Sequence, residues 1–262
     1  MNHVLWLMIM LVLPAGCDQN DLAWSDEFNY EGAPDSTLWD YDLGTGHNGW
    51  GNNEMQIYTR DPRNVRVADG SLWIVARKEA DGRWTSSRLV SRGKNHVTYG
   101  RIQFRARLPK GVGTWPALWM LGANVGEKGW PACGEIDVME HVGKNHGQVH
   151  SALHMPATYG DTEATGITQL GRPDTAFHVY EVEWTPESIT FSVDGENFYT
   201  YAPETKDQGN WPFDTPHYLL MNIAMGGNWG SHDPLETNGL QNGIDPNLEE
   251  VAMEVDYVRV FK

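Results

Sequence analysis

Apolar and polar residues alternate along most of the chain with a period of two. The alternation runs through Arg101 to Leu108, Tyr180 to Trp184 and Ile189 to Val193, as expected for strands with one buried and one solvent-exposed face. Asp194-Gly195 follows the third segment, and both residue types tolerate the positive φ of a tight hairpin turn. No sustained apolar stripe at helical spacing interrupts the pattern. We therefore predict an all-β fold, a single antiparallel β-sandwich of the jelly-roll kind.

The N-terminal segment breaks this alternation. Val4 to Leu13 are ten apolar residues without a charge, the length of a signal-peptide core and too short to span a bilayer. Pro14-Ala15-Gly16 and then Cys17 resemble the bacterial lipobox, in which the Cys becomes the lipidated first mature residue. We predict a signal peptide over residues 1–16 and one domain over 17–262. An ordinary cleaved signal is the alternative.

Composition restricts the partners. The chain has 35 Asp and Glu against 19 Lys and Arg, a net charge of −16, so it repels phosphate backbones and nucleic acid is not expected as a partner. Hydrophobic residues reach 40% and Trp numbers 12, which excludes a disordered chain. Besides Cys17 the only cysteine is Cys133, so no intrachain disulfide is expected if Cys17 is lipidated.

One strand-sized segment, GEIDVMEHVG, carries the carboxylates Glu135, Asp137 and Glu140. Residues two apart share a strand face, so Glu135 and Asp137 point the same way. Glu140 has the opposite parity and joins them only if the strand contains a β-bulge, at about Val138 or Met139. The spacing therefore predicts a bulged strand with three carboxylates on one face.

Such a cluster suits glycoside hydrolysis, which needs one protonated and one ionised carboxyl group. Mutual repulsion and partial desolvation would raise at least one pKa among Glu135, Asp137 and Glu140. The alternative is an acidic strand that simply faces solvent.

The segment WPACGEIDVME, from Trp130 to Glu140, resembles the E-I-D-x-x-E signature of glycoside hydrolase family 16, in its laminarinase branch of endo-β-1,3-glucanases. The resemblance extends over the mature chain through WSDEF, WGNNE, YGR, PKG, WPALWM, HVY, WTP, GGNW and VDYV. It implies a jelly roll with a concave substrate cleft, with Glu135 as nucleophile, Glu140 as general acid/base and Asp137 as the carboxylate that tunes them.

Aromatic residues next to Gly or Pro are candidates for sugar-binding platforms, because pyranose C–H faces pack on indole rings. The candidates are Trp115, Trp119, Trp130 and Trp229. Packing in the core is the alternative for each of them, and for Trp119 it weighs equally. The resemblance adds Asn53, Arg88 and His154 as polar contacts near the cleavage point, although Arg88 could equally be a surface cation.

The resemblance also implies a structural calcium site formed by Glu27, the backbone of Gly70 and Asp256, away from the cleft. The alternative is a sheet that needs no metal. No cofactor is expected for catalysis.

Two other constellations point to different chemistry. His150 and His154 are four apart, like a helical metal pair, but their segment has a strand pattern and no HExxH motif is present. Cys133 with His141 could form a thiol nucleophile, but a small packing residue is favoured because no orienting partner is evident.

The sequence thus predicts a retaining endo-β-1,3-glucanase acting on laminarin-like or mixed-linkage β-glucans. The alternatives are a family relative that cleaves a galactan such as agar or carrageenan, and a glucan-binding lectin on the same fold. We expect the protein to be monomeric and exported, as a lipoprotein held at a membrane through Cys17 or as a secreted protein.

Overall fold

The computed structural model describes residues 21–231 and 243–262, which fold into two β-sheets packed face to face. The ten-stranded sheet consists of β1 (Leu22–Asp26), β3 (Gln56–Tyr58), β4 (Val65–Ala68), β5 (Ser71–Lys78), β6 (Trp84–Ser86), β9 (Gly100–Arg107), β14 (His178–Trp184), β15 (Ile189–Val193), β16 (Glu196–Tyr201) and β18 (Glu250–Phe261). Its main path is β16-β15-β14-β9-β18-β5-β6-β3, with β1 paired to β18 and β4 to β5.

The eight-stranded sheet carries the carboxylates. It consists of β2 (Asp40–Tyr41), β7 (Arg88–Val90), β8 (His96–Val97), β10 (Thr114–Gly122), β11 (Glu135–Glu140), β12 (Gln148–His154), β13 (Thr165–Gln169) and β17 (His217–Met225). The order is β13-β12-β11-β10-β17-β7-β2, with β8 paired to β17. Over the described residues, helical turns are confined to connections: a π-helical turn at Gly49–Asn53, α1 (Val125–Lys128), a 3₁₀ turn at Gly143–Asn145 and α2 (Gly227–Gly230).

The predicted strands are confirmed. Along β9 the even-numbered residues Ile102, Phe104 and Ala106 are buried, as the alternation requires. β15 and β16 form the predicted hairpin, and Asp194 and Gly195 in its turn have φ of 52° and 84°. One detail departs from a purely antiparallel sandwich, since β3 and β6 run parallel.

Most buried apolar side chains lie between the two sheets in one large core cluster, which includes Ile136 and Met139 of β11. A second, smaller cluster of Val90, Leu121, Cys133, Tyr218 and Leu220 has Trp119 packed against it. Trp119 lies opposite Asp137 in the strand pairing, so this second cluster borders the carboxylates. Over the described residues, no helix has the length and apolar character needed to cross a membrane.

Candidate active site

The bulge predicted in the acidic strand is present at Val138. Asp137 pairs with Trp119 of β10 and Met139 pairs with Leu118, which leaves Val138 as an extra residue in β11. The register on the other side of β11 is also shifted between Asp137 and Glu140. The hydroxyl of Ser151 donates to the carbonyl of Val138 at 2.7 Å, so this buried acceptor is satisfied. The bulge reverses the parity of Glu140 relative to Asp137.

All three carboxyl groups sit in surroundings that disfavour charge. Burial is the main cause in each case. It raises the pKa of Glu135 to about 8, with the nearby Asp137 as the next cause. The pKa of Asp137, whose side chain is almost wholly buried, is raised well above its ordinary value by burial and then by the charge of Glu140. Burial also raises the pKa of Glu140.

Two indole N–H groups bond the outer members of the trio. Trp115 Nε1 donates to Glu140 Oε1 at 2.9 Å, and Trp130 Nε1 donates to Glu135 Oε2 at 2.8 Å. An indole N–H can only donate, so each bond favours the ionised form of its carboxyl group. The hydrogen bond from Trp115 accordingly offsets part of the effect of burial on the pKa of Glu140.

His154 lies against the other two carboxylates. Its Nε2 is 3.1 Å from Asp137 Oδ2 and 3.9 Å from Glu135 Oε1. The backbone N–H of Gly160 donates to His154 Nδ1 at 3.2 Å, so Nδ1 is the unprotonated nitrogen and Nε2 carries the hydrogen. The imidazole Nε2–H therefore lies beside the carboxylate pair, but it is not aligned for a hydrogen bond to Asp137 Oδ2.

Glu135, Asp137 and His154 each offer one potential metal-ligand atom, and these three atoms lie within 4.8 Å of one another, a spacing that a metal ion could use. Metal binding at Nε2 would require the proton to move to Nδ1, where it would face the N–H of Gly160. The hydrogen-bond arrangement therefore favours proton chemistry over metal ligation. His150 and His154, which the strand pattern already disfavoured as a metal pair, lie opposite Glu140 and Glu135 at the two ends of β11, and His150 packs against Trp229 at a ring-centroid distance of 4.9 Å.

Arg88 is buried, so the alternative that it is a surface cation is wrong. Only 8% of it is exposed. Its guanidinium carbon lies 4.6 Å from the ring centroids of both Trp50 and Trp119, and its Nε is 3.4 Å from a carboxylate oxygen of Asp42. The cation is thus held between two aromatic faces, an arrangement that stabilises it where water is scarce.

Trp119 begins a hydrogen-bond chain whose direction is fixed. Its Nε1 donates to Asn222 Oδ1 at 2.8 Å, and Asn222 Nδ2 donates to the hydroxyl of Tyr58 at 3.0 Å. Tyr58 in turn donates to Glu54 Oε2 at 3.2 Å. Because Trp119 can only donate, every later member has one role. Trp119 lies opposite Asp137 in the strand pairing, so it is part of the carboxylate-bearing face; its contact with sugar stays a prediction.

Trp229 and Asn53 lie next to the Glu140 end of the site. Trp229 meets Trp115 edge to face, with centroids 5.5 Å apart and an interplanar angle of 90°. Asn53 Nδ2 donates to Asn228 Oδ1 at 2.8 Å, which joins its loop to the Trp229 turn. All four predicted Trp residues thus surround the carboxylates, either in direct contact or through one neighbour.

Cys133 is a buried free thiol, and burial raises its pKa to about 11. A thiol with that pKa is not ionised near neutral pH, so the preferred interpretation as a packing residue is supported. Cys17 and the proposed signal peptide lie outside the described residues.

The proposed calcium ligands Glu27 and Asp256 are bonded to guanidinium groups. Both carboxylate oxygens of Glu27 accept from Arg259, at 2.9 and 2.8 Å, and Asp256 accepts from Arg105. Gly70 lies in the turn that joins β4 to β5. The oxygens are of the type that calcium prefers. They accept hydrogen bonds from the guanidinium groups of Arg259 and Arg105, so a calcium ion would have to displace these arginines.

Sequence reasoning missed four residues of this face. Trp50 and Glu54 lie within the WGNNE segment, but only Asn53 was chosen from it. Asn222 is the one polar residue in the interior of the apolar strand HYLLMNIAM, a signal that could have identified it. Tyr58 carries no such signal, because an isolated Tyr in a short strand is ordinary.

Comparisons with known proteins agree with this geometry. Residues 51–245 match the family described as Glycosyl hydrolases family 16. The chain is 47% identical to a beta-glucanase of Rhodothermus marinus, over 94% of this chain and 89% of that protein. It superposes on the laminarinase from Flavobacterium sp. UMI-01 with a TM-score of 0.85 and 38% identity, covering 92% of this chain and 100% of that one.

The X-ray structure of the laminarinase from Rhodothermus marinus gives a TM-score of 0.84 at 47% identity, over 92% of this chain and 97% of that one. The family match covers more than half of the 262 residues, and both structures span nearly the whole described fold. The chain belongs to glycosyl hydrolase family 16.

Proposed function

We propose that this protein is a retaining endo-β-1,3-glucanase that hydrolyses laminarin-like or mixed-linkage β-glucans. The observation that carries the proposal is the bulge at Val138, which gathers Glu135, Asp137 and Glu140 on one aromatic-lined face. The similarity to a beta-glucanase and to laminarinases supports the choice of substrate.

The first displacement uses Glu140 as acid and Glu135 as nucleophile. Glu140 gives its proton to the glycosidic oxygen while Glu135 attacks the anomeric carbon, so the C–O bond breaks and the leaving chain departs as an alcohol. The second displacement uses water. Glu140, now ionised, takes a proton from a water molecule. The oxygen of that water bonds to the anomeric carbon, and the ester bond to Glu135 breaks.

The surroundings distribute the protons for this cycle. Burial raises the pKa of Glu140, which favours the protonated form that a general acid needs, and the N–H of Trp115 then stabilises the carboxylate that remains after proton transfer. Glu135 accepts an N–H from Trp130, which favours its ionised form and opposes the burial that raises its pKa. The pKa of Asp137 is raised well above its ordinary value by burial and by the charge of Glu140, so we assign to Asp137 the role of holding a proton next to Glu135. No cofactor enters this scheme.

The two alternatives are less well supported. A galactan hydrolase would use the same carboxylates, but the relatives named above are glucanases. A glucan-binding lectin would not need the carboxylate trio, and all three members are present.

Product analysis tests the proposal. Early products from laminarin, followed by NMR, should appear as the β-anomer, because two displacements restore the configuration. A panel of laminarin, lichenan, agarose and carrageenan should show release of reducing ends from the first two only. Initial α-anomer, or cleavage restricted to a galactan, would overturn the proposed mechanism or substrate.

We also propose that the protein is exported and lipidated at Cys17, as the N-terminal sequence suggests. In a bacterium with lipoprotein processing, the mature form should begin at Cys17 and partition with membranes. Cys17→Ser should abolish that partition. A fully soluble wild-type protein with another N-terminus would instead support ordinary secretion. The expected monomer is checked on the same preparation by sedimentation.

Calcium stays a prediction based on the resemblance. Binding at Glu27, Gly70 and Asp256 would stabilise the folded chain by RT ln(1 + [L]/Kd), about 2.7 kcal/mol at a hundredfold excess over Kd. A chelator should then lower the melting temperature reversibly, with little change in the initial rate at low temperature. Asp256→Ala should remove that response. An unchanged melting temperature would show that Arg259 and Arg105 keep these carboxylates.

A further inference from the structure

One buried polar side chain of β12 lies opposite the bulge of β11. In the described pairing of these two strands, Ala152 lies opposite Asp137 and His150 lies opposite Glu140. The one residue between Ala152 and His150 is Ser151, which is wholly buried. Over the same interval β11 has two residues, because it contains the bulge. Ser151 is therefore the residue of β12 that faces the extra length of β11.

The hydroxyl of Ser151 bonds the backbone of the bulge. It donates to the carbonyl of Val138, the extra residue, at 2.7 Å, and both residues are buried. A bulge interrupts the hydrogen-bond ladder of a sheet at the extra residue. A buried carbonyl that loses its donor is costly, because no water replaces the lost bond. The hydroxyl therefore stabilises this bulge relative to strand arrangements that have the extra residue elsewhere or lack it.

Ser151 is itself held from the side away from β11. Its backbone carbonyl accepts the hydroxyl of Thr165 at 2.9 Å, and it lies opposite Gly166 of β13. A Cβ at Gly166 would overlap the side chain of Tyr199 in the ten-stranded sheet, so β13 is packed closely against that sheet here. The hydroxyl is thus presented to the bulge from a position that both sheets fix.

The bulge affects the three carboxylates unequally. Glu135 and Asp137 precede Val138 in β11 and share one face whether or not the bulge is present. Glu140 follows Val138, and only the extra residue gives it the same face. In a strand without the extra residue Glu140 would face the core, and the 2.9 Å bond from Trp115 Nε1 would be lost.

We propose that Ser151 is a positioning residue for the reaction, which holds the general acid/base Glu140 in place by fixing the bulge at Val138. This inference rests on the proposed glucanase function. Ser151 acts through the backbone of β11 and not on the substrate, because its side chain is buried and bonds a backbone carbonyl. Loss of its hydroxyl should therefore impair proton transfer by Glu140 and leave the attack by Glu135 nearly unchanged.

Ser151→Ala tests the inference on two substrates. Laminarin needs an acid to protonate its leaving group, whereas a dinitrophenyl β-laminaribioside releases a stable phenolate that needs no proton. For both substrates kcat/KM reports the first displacement. We expect kcat/KM to fall by about three- to thirtyfold on laminarin, and to stay within about twofold of the wild-type value on the aryl substrate.

Azide gives a second readout, which a merely structural role would not move. The azide anion needs no base in the second displacement: it bonds to the anomeric carbon while the ester bond to Glu135 breaks, and the product is the β-glycosyl azide. Added azide should therefore raise the kcat of Ser151→Ala on the aryl substrate. The share of glycosyl azide among its products should exceed the share formed by the wild type.

Ser91→Ala is the matched control. Ser91 is also wholly buried, and its hydroxyl also donates to a backbone carbonyl, that of Asn95 at 2.8 Å. It directly follows β7, which is separated from β11 by β17 and β10. Ser91→Ala should lose stability but keep the wild-type ratio of kcat/KM on the two substrates. If Ser151→Ala does not fold, Ser151→Cys, whose S–H is a weaker donor, takes its place with the same readouts.

The outcomes separate the role of Ser151 from the function itself. An unchanged kcat/KM on laminarin, equal losses on both substrates, or no gain from azide in a folded variant would overturn the positioning role. A wild-type protein that cleaves neither substrate would instead overturn the proposed function. A single cooperative thermal transition and retained binding of laminarin establish that the variants are folded.

Discussion

The acidic side chains on the outward faces of the two sheets have different partners. On the ten-stranded sheet, acidic side chains pair with arginines across or along the strands: Arg101 with Glu181, Arg105 with Asp256, Arg107 with Glu254 and Arg259 with Glu27. On the eight-stranded sheet, Glu135 and Glu140 are bonded by indole N–H groups instead. On the ten-stranded sheet, arginine cations compensate the carboxylate charges. On the eight-stranded sheet, neutral indole N–H groups compensate the charges of Glu135 and Glu140 only in part.

The pKa values show the effect of this difference. The side-chain hydrogen bond from Arg259 lowers the pKa of Glu27, whereas burial raises the pKa of Glu135 to about 8. The residue type is the same and the shift is opposite, because the partner and the exposure differ. Among the described residues, the carboxylates with raised pKa values, Glu135, Asp137 and Glu140, form no ion pair with an arginine.

The largest expected effect comes from removing the reactive carboxylates. Glu135→Gln and Glu140→Gln should each lower kcat on laminarin by about 10²- to 10⁴-fold or more, because the shape is kept while the nucleophile or the proton is lost. Asp137→Asn should cost less, since it still fills the site. Initial rates on laminarin measure all three.

Glu254→Gln, on the other sheet, is the matched control and should keep the wild-type rate. Retained binding of laminarin by the Glu135 and Glu140 variants would separate lost chemistry from lost folding. Near-wild-type turnover by either of them would remove this site from consideration.

A smaller effect follows from Trp115→Phe, which deletes one hydrogen bond to Glu140. A bond to a charged group contributes about 1.5–3 kcal/mol, so we expect roughly a ten- to hundredfold loss of kcat. The N–H of Trp115 favours the carboxylate and lowers the pKa of Glu140. Its removal should raise that pKa and move the basic limb of the pH–kcat/KM profile to higher pH.

Trp73→Phe provides the control for this substitution. Trp73 also donates one hydrogen bond, to the carbonyl of Ala68, on the ten-stranded sheet. It should leave the pH profile unmoved. A basic limb that stays in place in Trp115→Phe would show that the indole does not govern the proton on Glu140.

The bulged strand could be predicted because parity is a property of the sequence. Glu140 has the wrong parity for Asp137, and only an extra residue brings the two together, so the position of the bulge followed. The sandwich followed from the same period of two. These features depend on neighbours along the chain.

The Arg88 stack could not be predicted in the same way. It needs Trp50 from a loop in which Trp50 itself has a φ of 56°, a conformation unusual for a non-glycine residue. It also needs Trp119 from β10, which lies next to β7 only through the intervening β17. Similarly, the arginine partners of Glu27 and Asp256 depend on cross-strand register. Contacts between distant segments carry no local pattern.

A third prediction concerns stability. For a carboxyl group whose pKa is higher in the folded than in the unfolded state, the free energy of unfolding falls as pH rises through the interval between the two values. For Glu135 this interval runs from 4.5 to about 8. Glu135→Gln should remove the cost, and raise the melting temperature at pH 7 to 8 by about 2–4 °C per kcal/mol gained.

The gain should vanish near pH 4, where both forms are protonated, and that pH dependence distinguishes it from improved packing. Differential scanning calorimetry at the two pH values measures it. The exposed Glu204 offers a control through Glu204→Gln, which should change the melting temperature little at either pH. A lower melting temperature for Glu135→Gln at pH 8 would contradict the charge penalty assigned to the site.

The smallest effect is expected from Glu254→Gln, which breaks one ion pair on the ten-stranded sheet. The side chain of Arg107 is 39% exposed and that of Glu254 is 12% exposed, and partly exposed pairs contribute about 0–1 kcal/mol. Arg107 also keeps its contact with the ring of Phe177, 5.3 Å from the centroid. The melting temperature should therefore fall slightly, opposite in sign to Glu135→Gln, and the fall should shrink in high salt because salt screens exposed charges. A rise in melting temperature would show that the Arg107–Glu254 pair destabilises the fold, as the charge on Glu135 does. The difference between the carboxylates of the two sheets would then be explained by their exposure and not by pairing with arginine.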